Sequence, residues 1–257
     1  MSFEVQAARI TDGNGVAETL FRSAEQENDP LMARMYPGTP WDLLIQSHAS
    51  RYPRTFQRNP KWVRVIKVVD TSNGTIASYA KWVLPRDVVV QWGKDLPVAD
   101  VTDEELKWVG DVEEKARSFI DNQWPEGQKP PGTEESTKAM YERGWPVGVD
   151  KFTATETSSA LAEAAKGIKG NRAFIDLENL RTLPAYADTE TEKMALQWGL
   201  DLADSVKLPV YTTIPSKLQP VFEALGFQHH RDIVIDMEKF GGEGEYKFLV
   251  FVREPRV

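Results

Sequence analysis

The sequence predicts a mixed α/β fold of the α+β kind: a largely antiparallel twisted sheet flanked by helices. Two observations carry this. Antiparallel hairpins stand near both ends of the chain, and a strand–helix–strand–helix unit precedes the last one. Of the 257 residues, 41% are hydrophobic and 27% charged, so a packed core is expected and global disorder is not. The length suits one domain over 1–257 with an elaborated insertion.

The elements follow in order. Residues 3–10 alternate as a first strand. The cluster Thr11-Asp12-Gly13-Asn14-Gly15 reads as a turn. Residues 16–27 carry Val16, Leu20 and Phe21 at helical spacing, and Asn28-Asp29-Pro30 ends that helix. A second helix is expected over 40–48. Residues 62–69 hold Val63, Val65, Ile66, Val68 and Val69, whose β-branched side chains favour a pleated surface. Asp70-Thr71-Ser72-Asn73-Gly74 turns the chain into a return strand over 75–84. Residues 85–149 are dense in Pro and Gly around a helical stretch near 103–120, and read as a loop-rich insertion or lid. Helix is expected over 152–166, strand over 172–183, an amphipathic helix over 192–206, strand over 210–214 and helix over 216–225, which Gly226 stops. Strands over 233–237 and 246–252 close the chain.

Composition narrows the function. The net charge of −8, with 31 Lys+Arg against 39 Asp+Glu, lacks the basic footprint of a nucleic-acid binder. Without cysteine there is no disulfide, thiolate metal site or cysteine nucleophile. A histidine metal centre would need all three of His48, His229 and His230, whose spacing does not suggest one, so no metal is expected. No apolar run reaches the roughly 18 residues of a membrane span, and the expected location is cytoplasmic. The partner expected is a small molecule.

The C-terminal third resembles the GNAT superfamily of acetyl-CoA-dependent N-acetyltransferases, particularly its fungal-type members. The residues that carry the likeness are Leu177-Glu178-Asn179-Leu180-Arg181-Thr182-Leu183-Pro184-Ala185-Tyr186, Leu196-Gln197-Trp198-Gly199-Leu200-Asp201-Leu202-Ala203-Asp204, Leu208-Pro209-Val210-Tyr211 and Phe222-Glu223-Ala224-Leu225-Gly226-Phe227. The hairpin with Asn73 to Trp82 fits the family's second and third strands. The resemblance implies that a fourth and a fifth strand splay apart and that coenzyme A lies in the gap. Backbone groups of Leu180, Arg181 and Thr182 would line it. A loop of the form Arg/Gln-x-x-Gly-x-Gly/Ala would open the next helix, its glycines admitting the pyrophosphate to free helix N–H groups.

Here that loop is Ala187-Asp188-Thr189-Glu190-Thr191-Glu192. Both glycine positions are glutamates. Like charges about 4 Å apart cost about 1 kcal/mol in water-like surroundings and about 4 kcal/mol at an effective dielectric near 20. Acetyl-CoA is therefore a cofactor only if this degraded loop still permits it. Thr189-Glu190-Thr191-Glu192 also has the pattern of a capping box, with Thr189 as N-cap and Glu192 reaching back. The family's general-acid tyrosine is replaced by Phe222, which cannot donate a proton.

The candidates for chemistry are few. Asp176 and Glu178 lie two apart on the fourth strand, hence on one face, where the family places a general base. Tyr211 and Thr213 share a face of the fifth strand. His229 and His230 follow at the start of the sixth. Trp124 and Trp145, each before proline in the insertion, are candidates to roof an apolar pocket or to pin the insertion to the body. Three readings remain open: a repurposed GNAT-like enzyme with other chemistry, a conventional acetyltransferase of a small amine, and a non-catalytic binding protein.

Overall fold

The computed structural model describes residues 2–58, 62–86, 88–89, 102–105, 107–108, 111, 114, 145–187 and 189–256. Seven strands form one sheet in the order β1-β2-β3-β4-β5-β7-β6. They are β1 (Phe3–Ala7), β2 (Val63–Asp70), β3 (Thr75–Val83), β4 (Ile175–Thr182), β5 (Val210–Pro215), β6 (Gln228–Asp236) and β7 (Glu245–Arg253). Only β4 and β5 pair in parallel; the other neighbours are antiparallel. The predicted mixed, mostly antiparallel sheet is the one observed.

One face carries α5 (Thr191–Val206) and α6 (Gln219–Ala224). In α5, Ala195, Leu196, Gly199, Leu200 and Ala203 recur at helical spacing and form the buried stripe. They pack on Ile66, Val68, Trp82, Ile175, Leu177, Leu180 and Phe251 in the main core. Gly199 is required there, because a Cβ at that position would stand 2.3 Å from the Trp82 ring.

The opposite face carries α1 (Gly13–Gln26), α2 (Pro30–Met35), α3 (Trp41–Arg58) and α4 (Lys151–Lys169). Val16, Ala17, Leu20 and Phe21 of α1 pack with Leu44, Ile45 and Tyr52 of α3 and with Tyr79 of β3. Ala164 of α4 packs with Tyr211, Ile233, Val250 and Val252. Asp29 caps α2 by accepting from the amides of Leu31 and Met32, and Asp150 caps α4 through the Thr153 amide at 2.7 Å.

Local structure departs from expectation at residues 11–15 and at the end of the second helix, and adds one short helix that was not anticipated. The expected turn at residues 11–15 is a 3-10 turn over Ile10–Asp12 leading into α1, with Gly13, Asn14 and Gly15 already helical. There Gly13 lies against Tyr52 and Gly15 against Ile76, so the glycines serve close packing rather than a turn. The segment after Asp29 is a short helix with Pro30 at its first position, where a missing N–H costs nothing. The second predicted helix runs ten residues further than expected, through Pro53. Most of the predicted 85–149 insertion, including Trp124, lies outside the described residues.

Candidate functional site

The parallel pair β4–β5 is the centre of the site. Its ladder has three steps: Ile175 opposite Val210, Asp176 opposite Tyr211 and Leu177 opposite Thr212. Beyond these, β4 continues to Thr182 and β5 to Pro215 without pairing each other. The Thr212 hydroxyl donates to the Leu177 carbonyl at 2.9 Å at the point where the strands part.

A bulge in β4 begins at the same level. Lys81 faces Asn179 and Trp82 faces Leu177, so Glu178 is an extra residue. The bulge explains how Leu177 and Leu180, three positions apart, both reach the α5 side core. It also resets which backbone groups face the gap. The Leu183 amide donates to the Ala77 carbonyl of β3 at 2.8 Å. Backbone groups alternate sides along a strand, so Arg181 turns its own toward β3 while Leu180 and Thr182 turn theirs into the gap.

Below the gap, on the α4 side, Asp176 meets Lys169 at 2.5 Å. Burial raises the Asp176 pKa; Lys169 pulls it back and Glu178 pushes it up further. The Lys169 ammonium also stands 4.4 Å from the centre of the Tyr211 ring. The Tyr211 pKa is pushed up to about 12, first by burial and then by Asp176, and its hydroxyl is buried without a hydrogen-bond partner among the described residues. Lys169 was not anticipated: it stands at the end of an amphipathic helix where lysine is ordinary. Glu178 pairs with Lys81 at 2.7 Å and remains about half exposed. Thr213 is half-buried on the face of Tyr211, beside the opening.

At the mouth, the loop after β4 begins with a 3-10 turn over Pro184–Tyr186. The Tyr186 hydroxyl donates to Asp70 at 3.1 Å and anchors the loop to the β2–β3 turn. Asp188 lies outside the described residues. The expected capping box does not form. Helix α5 starts at Thr191 with Glu190 in the capping position and no side-chain cap. Thr189 donates to the Tyr186 carbonyl at 2.6 Å and stands 3.4 Å from the Thr191 amide. Glu192 turns toward β4, its carboxylate 3.5 Å from the Thr182 hydroxyl. Burial raises the Glu192 pKa, Thr182 and Lys217 oppose that, and Glu27 adds to it. Lys217, just past β5, is ion-paired with Glu27 beyond the end of α1. The mouth therefore holds two carboxylates around one lysine.

The other candidates lie elsewhere. His229 and His230 are exposed on β6, an edge strand separated from β5 by β7. His229 bridges to Asp232 at 2.9 Å. Neither histidine reaches the β4–β5 gap, because strand order puts a full strand between. Trp145 packs against the Val149 and Ala154 cluster, on which Met35 and Tyr36 also pack. His48 lies within α3, edge-on to Phe21 at 5.5 Å, and burial lowers its pKa to about 4, leaving it neutral. Among the described residues, no helix is long and apolar enough to cross a membrane.

No protein-family model matches the sequence, and no curated protein matches it either. Solved structures do. A structure described as histone acetyltransferase HPA2 and related acetyltransferase from Corynebacterium glutamicum superposes with a TM-score of 0.52 at 14% identity, covering 100% of this chain and 98% of that one. Arylalkylamine N-acetyltransferase 2 from Aedes aegypti does so with a TM-score of 0.50 at 13% identity, covering all of both chains. At such identity the likeness concerns the fold alone, which this chain shares with these acetyltransferase structures.

Proposed function

We propose that this protein is a GNAT-fold enzyme acting on a small molecule in the cleft between β4 and β5, with the ordinary acetyl-CoA site degraded. The observation that carries this reading is the contrast at the cleft. The strands part after Leu177 and Thr212, while the helix start that would face a pyrophosphate bears Glu190 and Glu192, the latter directed at Thr182 on the cleft wall. Lys217, the cation whose charge acts on Glu192, is paired with Glu27. These residues do not fit a pyrophosphate, and no step is routed through coenzyme A.

At the closed base of the cleft, Asp176 takes the role of proton acceptor, because burial raises its pKa and so strengthens it as a base. Lys169 holds it in place. Tyr211 and Thr213 orient the substrate from β5, and Glu178 at the bulge sets the charge of the near wall. Phe222 is fully buried against Phe227 and Phe251, so α6 supplies apolar packing at the position where the family has its general acid.

Titration calorimetry with acetyl-CoA tests the reading. No heat is expected at about 1 mM ligand, and Glu190→Gly combined with Glu192→Gly should restore measurable binding. Micromolar affinity in the unaltered protein would overturn it. One observation favours the second reading, a conventional acetyltransferase: the raised pKa of Glu192 makes that carboxylate easier to neutralise. On that reading, affinity for acetyl-CoA rises as pH falls through the raised Glu192 pKa, and Glu192→Gln abolishes the dependence.

A further inference from the structure

We infer that Arg181 is a binding residue for a carboxylate on the cleft's ligand, so that the substrate class is small carboxylic acids. The inference rests on the proposed reading only in placing the ligand between β4 and β5.

Arg181 stands on the unpaired part of β4, opposite Tyr79 of β3, and is half-buried. One Nη donates to the Leu180 carbonyl at 3.0 Å. By the strand alternation described above, that carbonyl faces the gap, so the guanidinium is turned toward it. Its charge is felt by Tyr79 and by Tyr246 of β7, on the other side of the opening. Among the described residues no carboxylate pairs with it. The nearby acids are engaged elsewhere. Asp29 caps α2 and accepts from the Tyr246 hydroxyl at 3.3 Å. Glu27 pairs with Lys217, and Glu192 lies by Thr182.

A half-buried guanidinium with one neutral acceptor retains donors in a planar fork, the geometry that grips a carboxylate through two parallel hydrogen bonds. The same surroundings choose between anions. A doubly charged phosphate would double its attraction to Arg181 and its repulsion from Glu27, Asp29 and Glu192 alike, while its cost of leaving water grows with the square of the charge, which favours the singly charged carboxylate. The Tyr246 and Phe248 rings, 5.0 Å apart, offer an apolar wall beside the charge, so an aromatic or acylated acid fits better than a bare one.

Benzoate and N-acetylglycine are the probes, with benzamide and N-acetylglycinamide as neutral controls. Both acids should bind the full chain with dissociation constants below about 10 mM, the amides at least about tenfold more weakly, and Arg181→Gln should weaken the acids by about tenfold, the loss of one charge-assisted pair. Arg181→Lys should fall between. The Nε–H resonance of Arg181 should shift on adding benzoate and not on adding benzamide, a readout that needs no variant should R181Q fail to fold. The inference is overturned if neither acid binds, if the amides bind as well, if R181Q folds and binds as the parent does, or if the Nε–H resonance stays still. Ligand binding in the cleft that ignores Arg181 removes this inference and leaves the cleft reading standing. Micromolar acetyl-CoA binding alongside Arg181-dependent acid binding does the reverse.

Discussion

The lower and upper halves of the β4–β5 junction are built from the same two strands and behave as different materials. In the lower half, three ladder steps join them, and Ile175, Leu177 and Val210 lie in the main core. Arg253, opposite Val210, binds Asp204 of α5 through two bonds of 2.7 and 2.8 Å. In the upper half, backbone groups of Leu180 and Thr182 face an opening, with the Arg181 guanidinium and the Glu192 carboxylate beside it. The difference teaches that opening a parallel pair needs a closed base: the unladdered upper backbone is tolerated because ladder, core and ion pair fix the strands below it.

Breaking the base should have the largest effect. Trp82 is fully buried between β3 and Gly199 of α5, so Trp82→Ala is expected to cost about 3–5 kcal/mol of stability in denaturant unfolding. A loss under about 1 kcal/mol would mean that the base does not depend on this packing. Asp204→Ala comes next. It strands the Arg253 guanidinium, whose side chain is only 3% exposed, and breaking such a pair costs about 3 kcal/mol. This contribution has a pH signature. Its hydrogen bond with Arg253 holds the Asp204 pKa below the ordinary carboxylate value. Its stabilisation is therefore complete above that value and is lost as pH falls through the depressed folded pKa. Unfolding midpoints followed below about pH 4 should drop less steeply in the variant than in the parent.

The smallest effect sharpens the boundary itself. Thr212→Val removes the hydroxyl bond to the Leu177 carbonyl and should cost about 1 kcal/mol. Amide exchange of Ile175 and of the β5 residues opposite β4 should quicken, while exchange along β6–β7 stays unchanged. Equal quickening on both sides of β5 would mean that the hydroxyl supports the whole sheet rather than the parting of two strands.

Much of the fold was legible because its signals are local. The β-branched run from Val63 to Val69 and the Asn73-Gly74 turn required a hairpin. The stripe Ala195, Leu196, Gly199, Leu200 and Ala203 required an amphipathic helix. The failures were local signals overruled by packing, as with Gly13 and Gly15, which read as turn residues but let α1 approach Tyr52 and Ile76. The positions of the candidate residues were legible in part. Asp176, Tyr211 and Thr213 do flank the junction, because alternation along a strand assigns its faces. His229 and His230 do not, since strand order, which no local pattern encodes, interposes β7.

The sequence by itself determined where most strands and helices lie, that the sheet is mixed, and that Glu190 and Glu192 open the helix after β4. Those follow from side-chain periodicity and residue identity. Tertiary structure alone decided that Glu178 is the bulged residue, that Leu180 and Thr182 present their backbone to the gap, that Glu192 turns to Thr182 instead of capping its own helix, and that Lys169 and Lys217 answer Asp176 and Glu27. Each of these depends on strand register or on a partner brought close by packing. Register is set by the sum of contacts across the sheet, a quantity that no single stretch of chain contains.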